Sequence, residues 1–133
     1  MPVQLNHTIV HGYDRDASAA FFCEVMGVGP PVPFGPFLVV EVDNGVSLDF
    51  IDAGPDFEIQ PQHYAFLVSD EEFDQIFGRI VERELPYWAD PARNEPGEIN
   101  HHFGGRGVYW CDPSGNFLEI ITVPYGGWGD RAE

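Results

Sequence analysis

Two histidines and two carboxylates stand at matching places in a chain whose halves use the same segments in the same order. His7 lies near the start of the strand-like run LNHTIV, and His63 near the start of HYAFLV. Asp49 follows a glycine turn in VDNGVSLDFID, and Glu119 follows another in DPSGNFLEIIT. Imidazole nitrogen and carboxylate oxygen are good ligands for borderline divalent ions, and a cation removes the cost of placing a carboxylate on a half-buried strand. His7, Asp49, His63 and Glu119 are therefore the candidate metal ligands, with Glu119 and Asp49 the candidate catalytic groups. A set without thiolates suits iron(II), manganese, nickel, cobalt or zinc. A lone histidine or glutamate on a two-sided sheet commonly just faces water. Recurrence in two repeats is what lifts these four above that plainer reading.

The elements that must position them follow from periodicity. Along a strand successive side chains face opposite sides, so Leu118 and Ile120 oppose Phe117, Glu119 and Ile121, while Val46, Leu48 and Phe50 oppose Ser47, Asp49 and Ile51. The apolar set in each half calls for a helix to cover it. Apolar spacing of three and four predicts one helix over Asp16 to Met26, carried by Ala19, Phe22, Val25 and Met26. A second spans Glu71 to Leu85, carried by Phe73, Ile76, Phe77, Ile80 and Val81, with Ser69 and Asp70 supplying capping chemistry. A glycine-bearing hairpin follows each helix, and a short β element near Phe34 to Gly35 or Tyr87 to Trp88 completes each unit. The expected plan is α+β: two tandem βαβββ modules, residues 1–58 and 59–133, with the four candidate ligands on the sheet faces opposite the helices. The second module carries an insert rich in Pro, Gly and Asn between Trp88 and Gly107, and long loops within a compact domain often serve a site. Asn100, His101, His102 and Arg106, with Trp88 and Tyr109, are the candidate substrate contacts. The glycines around Arg106 in GGRG let the backbone approach a ligand closely, and its guanidinium suits a carboxylate or enolate oxygen. The plainer readings are an ordinary ion pair for Arg106 and a solvated surface for the adjacent loop histidines.

Composition narrows the chemistry. Of 133 residues, 22 are Asp or Glu, against six Arg and no Lys, for a formal net charge of −16. That charge repels a phosphate backbone or an anionic membrane, so neither nucleic acid nor membrane is an expected partner. The absence of lysine excludes Schiff-base chemistry and lysine-held pyridoxal phosphate. No run approaches the ~18 apolar residues of a spanning helix, and the first residues lack a secretory pattern, so the expected location is cytoplasmic. Cys23 and Cys111 lack zinc-ribbon or disulfide spacing and read as two buried thiols. Ser114 lies in the DPSGN turn rather than in a nucleophile elbow.

From LNHTIV to LEIITVPYG the chain resembles the vicinal oxygen chelate superfamily, which contains glyoxalase I, bleomycin-resistance proteins, fosfomycin-resistance enzymes and extradiol dioxygenases. The strand histidines His7 and His63 and the ending GRGVYWCDPSGNFLEIIT carry the likeness. The resemblance implies paired βαβββ modules in a cupped, incomplete mixed β-barrel, with Glu119 as last metal ligand. It also implies a homodimer, in which modules are sometimes exchanged so that one site draws His7 from one subunit and His63 with Glu119 from the other. The implied chemistry is chelation of a small oxygen-rich or aromatic substrate to a divalent ion, followed by isomerase, lyase or dioxygenase steps. Asp is shorter than the Glu usual at the position of Asp49, which weakens a glyoxalase-type pattern of four ligands. A fosfomycin-type pocket needs several cations, more than six scattered arginines supply. A dioxygenase would need a nearby proton-moving group, for which His101, His102, Tyr109 and Tyr125 are candidates. The competing expectation is a bleomycin-resistance-like protein that sequesters a cationic aromatic drug without turnover, using the acidic charge and Phe34, Phe37, Trp88, Phe103, Trp110 and Trp128.

Overall fold

Asp14 opens the first helix: its side chain accepts from the backbone N–H groups of Asp16 and Ala17, so α1 begins one residue earlier than the periodicity predicts and runs Arg15–Met26. It stops where Gly27 takes a left-handed conformation, φ 76°, and returns its N–H to the Cys23 carbonyl. In the computed structural model, which describes residues 2–125, α1 follows strand β1 (His7–Gly12) and precedes β2 (Val32–Phe34), β3 (Phe37–Glu41) and β4 (Ser47–Asp52). Then come β5 (His63–Leu67), α2 (Asp70–Glu82), a single 3-10 turn (His102–Gly104), β6 (Gly107–Cys111) and β7 (Phe117–Ile121). Trp128 and the rest of the C-terminal GGWGDRAE lie outside the described residues. Among the described residues no helix is long and apolar enough to cross a membrane.

The chain divides into two units, Met1–Pro61 with Asp112–Ser114, and Gln62–Cys111 with Gly115–Glu133. In the first, four strands are ordered β1-β4-β3-β2, with β1 and β4 parallel and the rest antiparallel. Val10, Leu38, Val40, Leu48 and Phe50 leave one face of this sheet and meet Ala19, Phe22, Val25 and Met26 of α1 in a core closed to water. Ser114 is held to this unit, accepting from the Tyr13 N–H at 3.0 Å. The turn tip that contains it is tied by Asp112, which accepts from the Ser114 N–H.

In the second unit three strands are ordered β5-β7-β6, β5 and β7 parallel, β6 and β7 antiparallel. Its core gathers Phe73, Ile76 and Ile80 of α2 with Val108, Trp110, Leu118 and Ile120. Ser69 and Glu72 form a complete capping box at the start of α2. The helix ends at Glu82, short of the predicted Leu85, because Glu84 adopts φ 55° ahead of Pro86, and a residue before proline is steered away from helix.

The sheets reproduce the repeat with one loss. The fourth strand expected near Tyr87 to Trp88 is reduced to isolated bridges at Trp88, one to Pro96 and one to Tyr109, with which it exchanges both backbone hydrogen bonds at 2.9 Å. Pro86 has no N–H to extend that ladder in one direction, and in the other Asp90 turns the chain by accepting from the N–H groups of Asn94 and Glu95.

Candidate active site

The two halves place their histidine and carboxylate in the same register. In the first unit His7 pairs with Ser47 and Ile9 with Asp49; in the second His63 pairs with Phe117 and Ala65 with Glu119. Each histidine is therefore one register step from its carboxylate, on the sheet face opposite the core. Beyond that shared placement the two pairs differ.

In the second unit the pair closes. His63 Nε2 lies 2.8 Å from Glu119 Oε1, with the imidazole side chain 45% exposed and the carboxylate wholly removed from water. The other oxygen, Oε2, accepts from the Tyr125 hydroxyl, and Tyr125 in turn shares a 2.7 Å hydrogen bond with the Tyr109 hydroxyl. Burial, followed by the hydrogen bonds to Tyr125 and Glu119, pushes the Tyr109 phenol well above its ordinary range. Burial and Glu119 likewise raise Tyr125. Both phenols are thus held as proton donors at neutral pH. Among the described residues, the side chains that bond the Glu119 carboxylate are an imidazole and two phenols, and none is an arginine. A carboxylate so enclosed is expensive unless a positive charge, a proton on His63 or a metal ion, stands beside it.

In the first unit the pair stays open. His7 Nδ1 is 2.7 Å from Asn6 Oδ1, and Ser47 Oγ donates to Asp49 Oδ1 at 2.8 Å. Asp49 is one methylene shorter than Glu119, and the Ser47 hydroxyl claims the oxygen that a longer side chain would extend outward. His7 and Asp49 line a cleft of about 490 Å³ together with Ile9, Phe34, Phe37 and Val39. Its walls are mostly apolar and its polar groups few, the usual make-up of a small-molecule site.

The chemistry of this donor set fits a divalent ion of borderline character: neutral imidazole and carboxylate oxygen, without thiolate. His63 and Glu119 already meet at a common point. Among the described residues no three His, Cys, Asp or Glu side chains come together in a metal-holding group.

The candidate substrate contacts of the insert take up varied positions. Asn100 is built into the loop: its Nδ2 donates to the Ala89 carbonyl, its Oδ1 accepts from the His102 N–H, and its backbone exchanges both hydrogen bonds with Gly107. His101 and His102 are exposed, with the His102 ring edge-on to Phe103. Arg106 is engaged with α2, donating to Asp74 at 2.7 Å and to Asp70 through side chain and carbonyl, with its guanidinium 4.4 Å from the centre of the Phe73 ring. That is the ion-pair alternative, and it commits the donors a substrate oxygen would need. Tyr109 is buried beside Glu119, and Trp88 is half-buried next to it across the bridge. Cys23 is buried as expected, but Cys111 is only half-buried.

One residue outside that expectation also reaches this face. Arg93 lies with its guanidinium carbon 5.8 Å from the Trp88 ring centre and 5.2 Å from that of Phe117. The only sequence signal for it was its place in the turn-forming run DPARN, five residues after a tryptophan.

No family model matches the chain. Solved structures do. The chain is 64% identical to a structure described as oxidase ChaP-H1, covering 94% of this chain and 99% of that one with a TM-score of 0.89. It is 56% identical to oxidase ChaP-H2, over 97% of this chain and 100% of that one, with a TM-score of 0.92. Among curated proteins it is 24% identical over 132 residues to metallothiol transferase FosB of Lysinibacillus sphaericus (strain C3-41), covering 92% of this chain and 84% of the relative. With these likenesses and the paired sheet-and-helix units, the chain belongs to the vicinal oxygen chelate superfamily and has the glyoxalase/bleomycin-resistance fold.

Proposed function

We propose that the chain is a metal-dependent oxidase that acts on a small planar substrate bearing adjacent oxygens. The observation that carries this reading is the His63–Glu119 pair, 2.8 Å apart with the carboxylate shut away from water and braced from behind by Tyr125. The proposed ligands are His63 and Glu119 with His7, and Asp49 stands ready as a further ligand or base. The bound ion would supply Lewis acidity and a seat for two neighbouring substrate oxygens. The rest is the work of the chain itself. Tyr125 orients Glu119 and fixes which oxygen faces His63, and Tyr109 holds Tyr125. Phe34, Phe37 and Val39 offer an apolar cleft beside His7 for the carbon skeleton of a substrate.

Likeness to two proteins described as oxidases, at 64% and 56% identity, favours oxidation over the lyase and transferase chemistries named for more distant relatives. We take the working form to be a homodimer, as the family resemblance implies. In support, His63, Ala65 and Leu67 on β5 are exposed in the single chain, as are His7 and Ile9 on β1.

The test is oxygen consumption by protein reconstituted with iron(II) under nitrogen and then given air and a planar aromatic diol. Uptake that depends on the diol and disappears in His63→Ala supports the reading. Metal-free wild-type protein that binds cationic aromatic compounds tightly, with no uptake after reconstitution, replaces it with sequestration.

A further inference from the structure

The face of the second sheet that bears His63 and Glu119 carries an arginine whose guanidinium makes no hydrogen bond among the described residues. Across that face the register sets Trp88 beside Tyr109 and Tyr109 beside Glu119, and in the next row Cys111 beside Phe117 and Phe117 beside His63. Trp88, Tyr109, Phe117, Glu119 and His63 therefore share one side of the sheet. The Arg93 guanidinium stands within cation–π range of both Trp88 and Phe117, and Phe117 is the register partner of His63, one strand away from it.

Several features mark this arrangement as a built one. Asp90 accepts from the N–H groups of Asn94 and Glu95, and the Asp90 carbonyl accepts the Arg93 N–H, which closes a tight turn around the arginine. The turn holds Arg93 at φ 62°, a conformation non-glycine residues rarely adopt. Of the two acids nearest in sequence, Asp90 has its carboxylate occupied by backbone donors rather than by the guanidinium, and Glu95, two residues after Arg93, makes no ion pair with it. Arg15 and Arg106 both pair with aspartates. Arg93, in a chain with 22 acidic residues, lies against two aromatic rings instead, and its N–H donors are not taken by any carboxylate among the described residues.

We infer that Arg93 is an anion-binding residue that anchors a carboxylate or phenolate on an aromatic substrate whose adjacent oxygens lie at the His63–Glu119 pair. Stacking fixes the fork in advance, so little side-chain freedom is lost when an oxyanion arrives. The inference deepens the reading above and rests on it for the position of the substrate.

The test compares two probes: a naphthalene with two adjacent hydroxyls, and the same diol carrying a carboxylate on the remote ring. Dissociation constants come from quenching of tryptophan fluorescence, for wild type and Arg93→Gln, each metal-free and zinc-loaded. Arg93 is exposed, so the variant keeps the fold. The expected result is tighter wild-type binding of the carboxylate probe, at least a tenfold loss of that binding in the variant, and a change under twofold for the plain diol. Absence of a carboxylate preference in the wild type, or equal loss of both probes in the variant, overturns the inference. Failure of zinc to bind the wild type would instead remove the metal reading, while the metal-free comparison still decides the role of Arg93.

Discussion

His63 Nε2 and Glu119 Oε1 meet at 2.8 Å across two parallel strands, one side chain nearly half exposed and the other fully enclosed. The pair is made by register: β5 and β7 place Ala65, not His63, directly opposite Glu119, so the two reach each other diagonally. A long carboxylate closes that diagonal and a short one does not, which is the difference between Glu119 and Asp49.

Tyr125 sets the orientation of Glu119 through the oxygen that does not face His63. Tyr125→Phe removes one hydroxyl and keeps the ring. Outer partners of this kind are typically worth ten- to a hundredfold in metal affinity. We expect zinc affinity, measured by competition with a chromophoric chelator, to fall about tenfold with circular dichroism unchanged. Unaltered affinity would show that Glu119 is held without Tyr125.

Arg106 joins the start of β6 to α2 through Asp70, Asp74 and the face of Phe73. The two aspartates are exposed, so solvent discounts the ion pairs, and the stacking adds a share of its own. Arg106→Ala should lower unfolding stability in urea by about 1 kcal/mol and leave binding of the plain diol unchanged. A large loss of diol binding at unchanged stability would restore Arg106 as a substrate contact.

The phenols of Tyr109 and Tyr125 ionise above their ordinary value, Tyr109 because it is buried beside Glu119, and Tyr125 because its hydroxyl is partly withdrawn from water and bonded to the same carboxylate. A group whose folded pKa is raised adds stability below its unfolded pKa, near ~10 for tyrosine, and loses it as pH rises toward the folded value. The urea midpoint should therefore fall more steeply above pH 10 in wild type than in Tyr109→Phe. Parallel curves for the two proteins would contradict the burial of this phenol.

Strand alternation made the faces of His7, Asp49, His63 and Glu119 legible in the sequence, because a period of two leaves each strand only one way to bury Leu48 and Phe50, or Leu118 and Ile120. The helices were legible for the same reason, and their ends moved by one to three residues because capping by Asp14 and the turn before Pro86 outweigh apolar spacing. Arg93 and Arg106 were not legible in this way. The partners of both depend on loop geometry: the turn closed by Asp90 in one case, and in the other the contact between the loop before β6 and the first turns of α2. Neither contact leaves a periodic trace. The weak fourth strand of the second unit was foreshadowed by Pro86, whose missing N–H limits its ladder to the bridges at Trp88.

Metal content of protein purified without chelator, measured beside His63→Ala, is the most direct trial of the account. It predicts close to one divalent ion per chain in the wild type and very little in the variant, with both folded. A folded wild type that stays empty when offered iron(II), manganese or zinc, or a variant that retains the full complement, would contradict it.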